Sequence, residues 1–155
     1  VAFHEPAPAE AHGSIGSLTH LAPVVLGVPR VQAGSVVLLV DDDVNARNGY
    51  AELLEGRGFR VMVAGSADEA LAISLERPPD AVVTDIALPG RDGFELATDL
   101  RCRPIAKSIP ILAMTAYWAP DVHEHAERAG ITAVLAKPCQ PEHLVAELHR
   151  VLRKR

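Results

Sequence analysis

Cysteine is nearly missing from this 155-residue chain: Cys102 and Cys139 stand alone, in neither a CxxC pair nor a disulfide framework. Two isolated thiols suit a reducing compartment, so a cytoplasmic location is expected. No apolar run approaches the roughly 18 residues of a membrane span, and the first residues lack the charged start and continuous apolar core of a secretory leader. Positive charge is not in excess either. Asp and Glu number 20 against 15 Lys and Arg, a formal net charge of -5, which argues against direct nucleic-acid binding because that needs a basic face. The basic end (Arg150, Arg153, Lys154, Arg155) reads more simply as the charge-complemented close of a last helix. No repeat recurs at solenoid periods.

What is present is an ordinary globular balance, 48% apolar and 23% charged, enough for one domain plus something extra. Residues 1–34 differ from the rest: rich in Ala, Pro, Gly and His, with no sustained helical period. They read as a linker or arm, partly disordered, in which Val24–Val28 could dock as a short strand. His4, His12 and His20 recur at a spacing that fits no helix face and bring no Cys or paired carboxylate, so no metal site is expected there. Residues 35–155 form the domain proper.

From Val36 the pattern becomes regular. Val36–Val40, Phe59–Val63, Ala81–Thr84, Pro110–Met114 and Ala133–Ala136 read as buried strands. Between and after them, helical patterns cover Val44–Glu55, about Ser66–Glu76, Gly93–Arg101, Pro120–Ala129 and a last helix from Pro141 with Leu144, Val145, Leu148 and Leu152 on one stripe. Ser66-Ala67-Asp68-Glu69 is a capping-box signature, and Gly58 and Gly130 are stops. Strands alternating with helices predict a (βα)5 α/β fold, a parallel sheet covered on both faces.

Three of these strands end in polar residues that a buried strand does not otherwise select. Asp41-Asp42-Asp43 follow the first, Asp85 the third and Lys137 the fifth, with Thr115 after the fourth. In a parallel sheet such ends share one edge, so residues far apart in sequence converge. Clustered carboxylates repel unless a cation intervenes, and hard oxygens with room for water suit Mg2+ (or Mn2+). A metal, a Lys and a hydroxyl around one carboxylate would stabilise added phosphoryl oxygens. Asp85 is then the candidate nucleophile, forming an acyl phosphate.

The stretches VVLLVDDDVNAR, VVTDIALPGRDG, ILAMTA and AVLAKP, in this order over about residues 35–155, resemble the successive motifs of response-regulator receiver domains. The resemblance implies a flavodoxin-like three-layer sandwich with strand order 2-1-3-4-5, for which a receiver is a standing example. It implies phosphorylation of Asp85 by a histidine kinase or phosphotransfer domain, and an output partner or fused domain that the residues do not reveal. Asp42 would bind the metal directly, Asp41 would assist, Asp85 would share it, and the Ala87 backbone carbonyl would complete the protein ligands. Thr115 and Lys137 would hold the phosphoryl oxygens, Lys137–Pro138 would be cis, and a homodimer could form on phosphorylation. No membrane partner is expected.

Asp43 reads as a helix N-cap or first-turn acid rather than a ligand. His123, Glu124 and His125 read as solvated surface, since i and i+2 point apart on a helix. Tyr117 and Trp118 form either an exposed rim or a partner contact, and Tyr117 is expected to cover the site against water. A phosphatase using Asp41-x-Asp43 is the enzymatic alternative, disfavoured because position 45 is Asn45 rather than the Thr or Val such enzymes place there. A degenerate receiver serving only as a binding surface is the other, and intact Asp41, Asp42, Asp85, Thr115 and Lys137 weigh against it. Two departures from the family pattern stand out: Val134 replaces an aromatic residue common three positions before the Lys, and Ala87 replaces what is often a larger polar residue.

Overall fold

Every residue of β1 (Val36–Val40) is apolar because both its faces are covered. Val37 and Leu39 pack with Leu54, Leu144 and Leu148, while Leu38 and Val40 pack with Leu96, Leu100 and Ala126 on the opposite side. This alternation, the period of two of any strand, divides the core in two. The computed structural model describes residues 34–153. The expectations for residues 1–33, including the linker, the Val24–Val28 strand and the histidines, and for Lys154 and Arg155, lie outside the described residues.

Beside β1 run β2 (Arg60–Ala64), β3 (Ala81–Asp85), β4 (Ile111–Thr115) and β5 (Ala133–Ala136). All pairings are parallel, and the order is β2-β1-β3-β4-β5. The register sets Val40 opposite Ala64 and Thr84, Asp85 opposite Met114, and Thr115 opposite Ala136. One face carries α1 (Val44–Gly56) and α5 (Pro141–Arg153), the other α2 (Ala67–Glu76), α3 (Gly93–Arg101) and α4 (Val122–Ala129). This is the three-layer flavodoxin-like arrangement, with β3 in the middle. Among the described residues, no helix is long and apolar enough to cross a membrane.

Boundaries shift slightly from the sequence reading. β2 and β4 start and end one residue later than expected, α4 starts at Val122 rather than Pro120, and a 3-10 turn at Pro104–Ala106 has no counterpart in the pattern. Val151 rather than Leu152 is the fully buried member of the last stripe. Ser66 caps α2 as expected, accepting from the Glu69 N–H at 3.1 Å, but Glu69 reaches back to the Gly65 N–H (2.8 Å), one residue beyond the cap. The complete reciprocal box is at α3, where Asp92 and Glu95 satisfy each other's backbone at 2.9 and 3.0 Å.

Candidate functional site

All strands point the same way, so their carboxyl ends lie along one edge and the residues after them meet there. Asp41 leaves β1 almost fully buried, 1% exposed. A buried carboxylate needs its lone pairs filled. Its Oδ1 accepts the Asp43 N–H at 2.9 Å and its Oδ2 the Lys137 ammonium at 2.9 Å. Asp42 is exposed, and its carboxylate accepts no hydrogen bond among the described residues. Asp43 turns outward and caps α1, accepting from the Asn45 and Ala46 N–H groups. Three successive aspartates thus take three roles, set by which way each leaves the strand end.

Asp85 closes β3 and is 9% exposed. Its Oδ1 accepts the Ala87 N–H at 3.0 Å and its Oδ2 the Lys137 ammonium at 2.9 Å. The Thr84 hydroxyl donates to the Asp85 carbonyl, and the Gly93 N–H donates to the Ile86 carbonyl. A Cβ on Gly93 would lie 2.6 Å from the Asp85 carbonyl oxygen, so only glycine lets α3 start this close to the strand end. Lys137 follows β5, two strands away, and its long stem carries the ammonium over β4 to both aspartates. Burial by itself would lower the Lys137 pKa. The hydrogen bonds and charges of Asp41 and Asp85 outweigh that, and the pKa is raised. The Lys137–Pro138 bond is cis.

One oxygen from each of Asp41, Asp42 and Asp85 lies within 4.8 Å of the others. Three carboxylates against one ammonium leave net negative charge in a recess that is part buried and part open. A divalent cation that prefers oxygen donors fits such a set. Ala87 is exposed beside it, with its N–H held by Asp85 and its carbonyl accepting no hydrogen bond among the described residues.

The Thr115 hydroxyl donates to the Tyr117 carbonyl at 2.8 Å and accepts the Tyr117 N–H at 3.0 Å. One expectation is corrected here, that of Tyr117 as a cover over the site. Tyr117 is 79% exposed, so its ring projects into solvent and does not cover the site. His123 and His125 do diverge, His123 edge-on to Trp118 and His125 edge-on to Phe94.

The sequence reading missed Arg47. Its Nη1 donates to the Asp41 carbonyl at 2.8 Å, and it packs against Gly65, where a Cβ would meet it at 3.0 Å. The guanidinium thereby ties the β1–α1 turn to the loop after β2. A lone Arg on a first helical turn carries no signal of such a role, because its acceptors are backbone carbonyls.

Residues 37–149 match the model of the family described as response regulator receiver domain. The phosphate regulon transcriptional regulatory protein PhoB of Pseudomonas aeruginosa is 35% identical over 121 residues, 78% of this chain and 53% of that protein. The sensor histidine kinase AruS of the same organism is 34% identical over 140 residues, 89% of this chain but 14% of that protein. The chain thus spans half or less of several curated relatives it matches. Among solved structures, chemotaxis protein CheY4 of Vibrio cholerae superposes with a TM-score of 0.74 at 33% identity, over 77% of this chain and 99% of that one.

Proposed function

The chain belongs to the response regulator receiver domain family, a two-component signalling domain rather than a conventional enzyme, and from that premise we propose that Asp85 is the residue that accepts a phosphoryl group. The observation that carries the reading is the meeting of Asp41, Asp42 and Asp85 within 4.8 Å, with Lys137 bridging two of them. A neutral or structural role would not leave one ammonium to balance three carboxylates.

Asp85 Oδ2 attacks the phosphorus of the donor, a histidine kinase, a phosphotransfer domain or a small acyl phosphate, and the bond from phosphorus to the donor's leaving atom breaks. Asp42 with its unengaged oxygens, Asp41, Asp85 and the Ala87 carbonyl would hold Mg2+ or Mn2+. When bound, the cation supplies positive charge for the phosphoryl oxygens and relieves the repulsion of the carboxylates. Lys137 stays protonated beside Asp85 and offers a fixed charge to the same oxygens. Thr115 supplies a hydroxyl once it turns from Tyr117. The product switches a partner-binding surface, and the cytoplasm is where such chemistry meets its kinase.

The test is incubation with Mg2+ and acetyl phosphate followed by intact mass. The wild type gains one phosphoryl group and Asp85→Asn, equal in size but without the nucleophile, gains none. An Asp85→Asn variant that still gains the mass sinks the assignment.

A second reading concerns the setting. The alignment with AruS spans 140 residues, longer than the stretch matched by the family model, so it takes in part of the segment before residue 34. That extent favours a receiver working within a hybrid kinase. Transfer from a kinase core fused to the chain, faster than from the same core added as a separate protein, is the expected outcome; equal rates would count against the hybrid setting.

A further inference from the structure

Asp42 is the carboxylate with the least to hold it. It is exposed, and its oxygens accept no hydrogen bond among the described residues, so the backbone it leaves from sets its direction. That backbone is fixed on both sides. The peptide unit from Asp42 to Asp43 is held by its N–H, which donates to Asp41 Oδ1 at 2.9 Å. The unit from Asp41 to Asp42 is held by its carbonyl, which accepts Arg47 Nη1 at 2.8 Å. Just before it, the Asp41 N–H donates to the Ala64 carbonyl at 3.1 Å, so β1 reaches this point in fixed register. Two hydrogen bonds, one on either side, therefore aim Asp42. Arg47 supplies the one that comes from outside the aspartate run.

Arg47 is itself firmly seated. It lies in the first turn of α1, with its N–H on the Asp43 carbonyl at 2.9 Å. Its guanidinium fills the space over Gly65, where a Cβ would stand 3.0 Å from Nη1 and 3.7 Å from the Glu69 carboxylate. Glu69 accepts the Gly65 N–H at 2.8 Å and keeps that wall in place. Arg47 Nε is buried with no hydrogen-bond partner among the described residues, and buried donors are rarely left so. Packing alone does not call for a guanidinium with an unserved N–H. Charge pairing does not call for it either, because among the described residues Arg47 forms no ion pair and its acceptor is a carbonyl. A cation that grips the backbone of the acidic run and leaves the Asp42 oxygens unengaged keeps those oxygens for a metal.

We propose that Arg47 is a positioning residue of the metal site: by holding the Asp41 carbonyl it fixes the peptide from which Asp42 projects, and so sets how tightly the unphosphorylated chain binds Mg2+. The inference rests on the reading of Asp41, Asp42 and Asp85 as that site, and it adds a residue outside the ligand set. Charge and position act in opposite directions here, which makes the role separable. The positive charge of Arg47 opposes a second cation nearby, so removing charge alone would tighten binding. Removing the tie lets Asp42 swing and loosens binding, because partners that orient a ligand are commonly worth about tenfold or more in affinity.

The experiment is calorimetric titration of the full chain with Mg2+, paired with urea unfolding in the absence of metal. Arg47→Met, which keeps an unbranched stem and removes both charge and donor, should raise the Mg2+ Kd about tenfold. Arg47→Lys, which returns one donor on a shorter stem, should recover part of that loss. Its Kd stays above that of the wild type, so it carries the comparison alone should Arg47→Met not fold. Either variant with the wild-type Kd overturns the inference, even where unfolding shows lost stability. A merely structural residue lowers stability and leaves the affinity of the folded site alone. A tightened Kd in Arg47→Met also overturns it and leaves Arg47 as a charge only. Arg47→Lys no better than Arg47→Met overturns the hydrogen bond as the cause. In these cases the metal site itself stands. A wild type that binds no Mg2+ overturns the metal reading, and the inference with it.

Discussion

The two edges of the sheet use the same kinds of side chain to opposite ends. At the amino edge Arg101, at the end of α3, donates to the carbonyls of Gly130, Ile109, Lys107 and Ala106 at 2.9, 2.7, 2.9 and 3.3 Å. Asp80 likewise accepts the Val36 N–H at 2.7 Å. These charges satisfy backbone groups that the ends of helices and strands leave over. At the carboxyl edge Asp41 and Asp85 take one backbone N–H each, but Asp41, Asp42, Asp85 and Lys137 also face one another with negative charge in surplus. A charge becomes structural where its partners complete it. It becomes chemical where they do not.

The contrast is broken most severely at the amino edge. Arg101→Met strands several carbonyls that only a guanidinium reaches together, and should cost about 2–4 kcal/mol in urea unfolding. Mg2+-dependent phosphorylation per folded molecule should be unchanged. Equal loss of both would mean the two edges are not separable.

Next in size is the response to metal. Because the surplus charge lies at the carboxyl edge, Mg2+ should stabilise the protein by about 2.7 kcal/mol at a hundred times its Kd. Thermal melts should lose that gain in Asp42→Ala and keep it in Asp43→Ala. Asp43→Ala instead removes an N-cap and should cost about 1 kcal/mol with or without metal. A melting temperature indifferent to Mg2+ would count against the acidic cluster as a site.

The smallest effects concern protons. The raised pKa of Lys137 means its pairing with Asp41 and Asp85 contributes in full below the unfolded value near 10.5. The contribution is lost as pH rises through the folded pKa, so melting temperature should be insensitive to this group at neutral pH and fall in the alkaline range. In Lys137→Met that alkaline loss should shrink. Burial pushes the Cys139 thiol up and Cys102 is exposed, so maleimide at neutral pH should label Cys102 first. Equal labelling would mean the α5 face opens readily.

How much of this was legible follows from where each signal resides. Strand ends are readable because an apolar run that stops at Asp41 or Asp85 breaks a pattern. Parallel topology then brings those ends together without any contact being known. The roles of Asp43 and Pro141 at helix starts are equally local. Arg47 and Arg101 escaped because their acceptors are carbonyls, which every residue carries and no side chain marks. Glu69 found Gly65 rather than Ser66 because the choice between adjacent N–H groups depends on the turn's exact path. The Tyr117 ring faces solvent because the short loop spends its backbone on Thr115, a preference visible only once the hydroxyl's partners are known.

Lys137 lies 96 residues beyond Asp41 and 52 beyond Asp85, and that separation acts as a schedule during synthesis. A ribosome at work on this chain releases both aspartates long before the lysine that completes their site. β4 has no strand on its outer side until β5 is made, and long-range closures of this kind come late in folding. A half-made chain therefore holds the Asp85 carboxylate without the ammonium that steadies it. The cluster at the carboxyl edge is thus complete only once the last strand is in place.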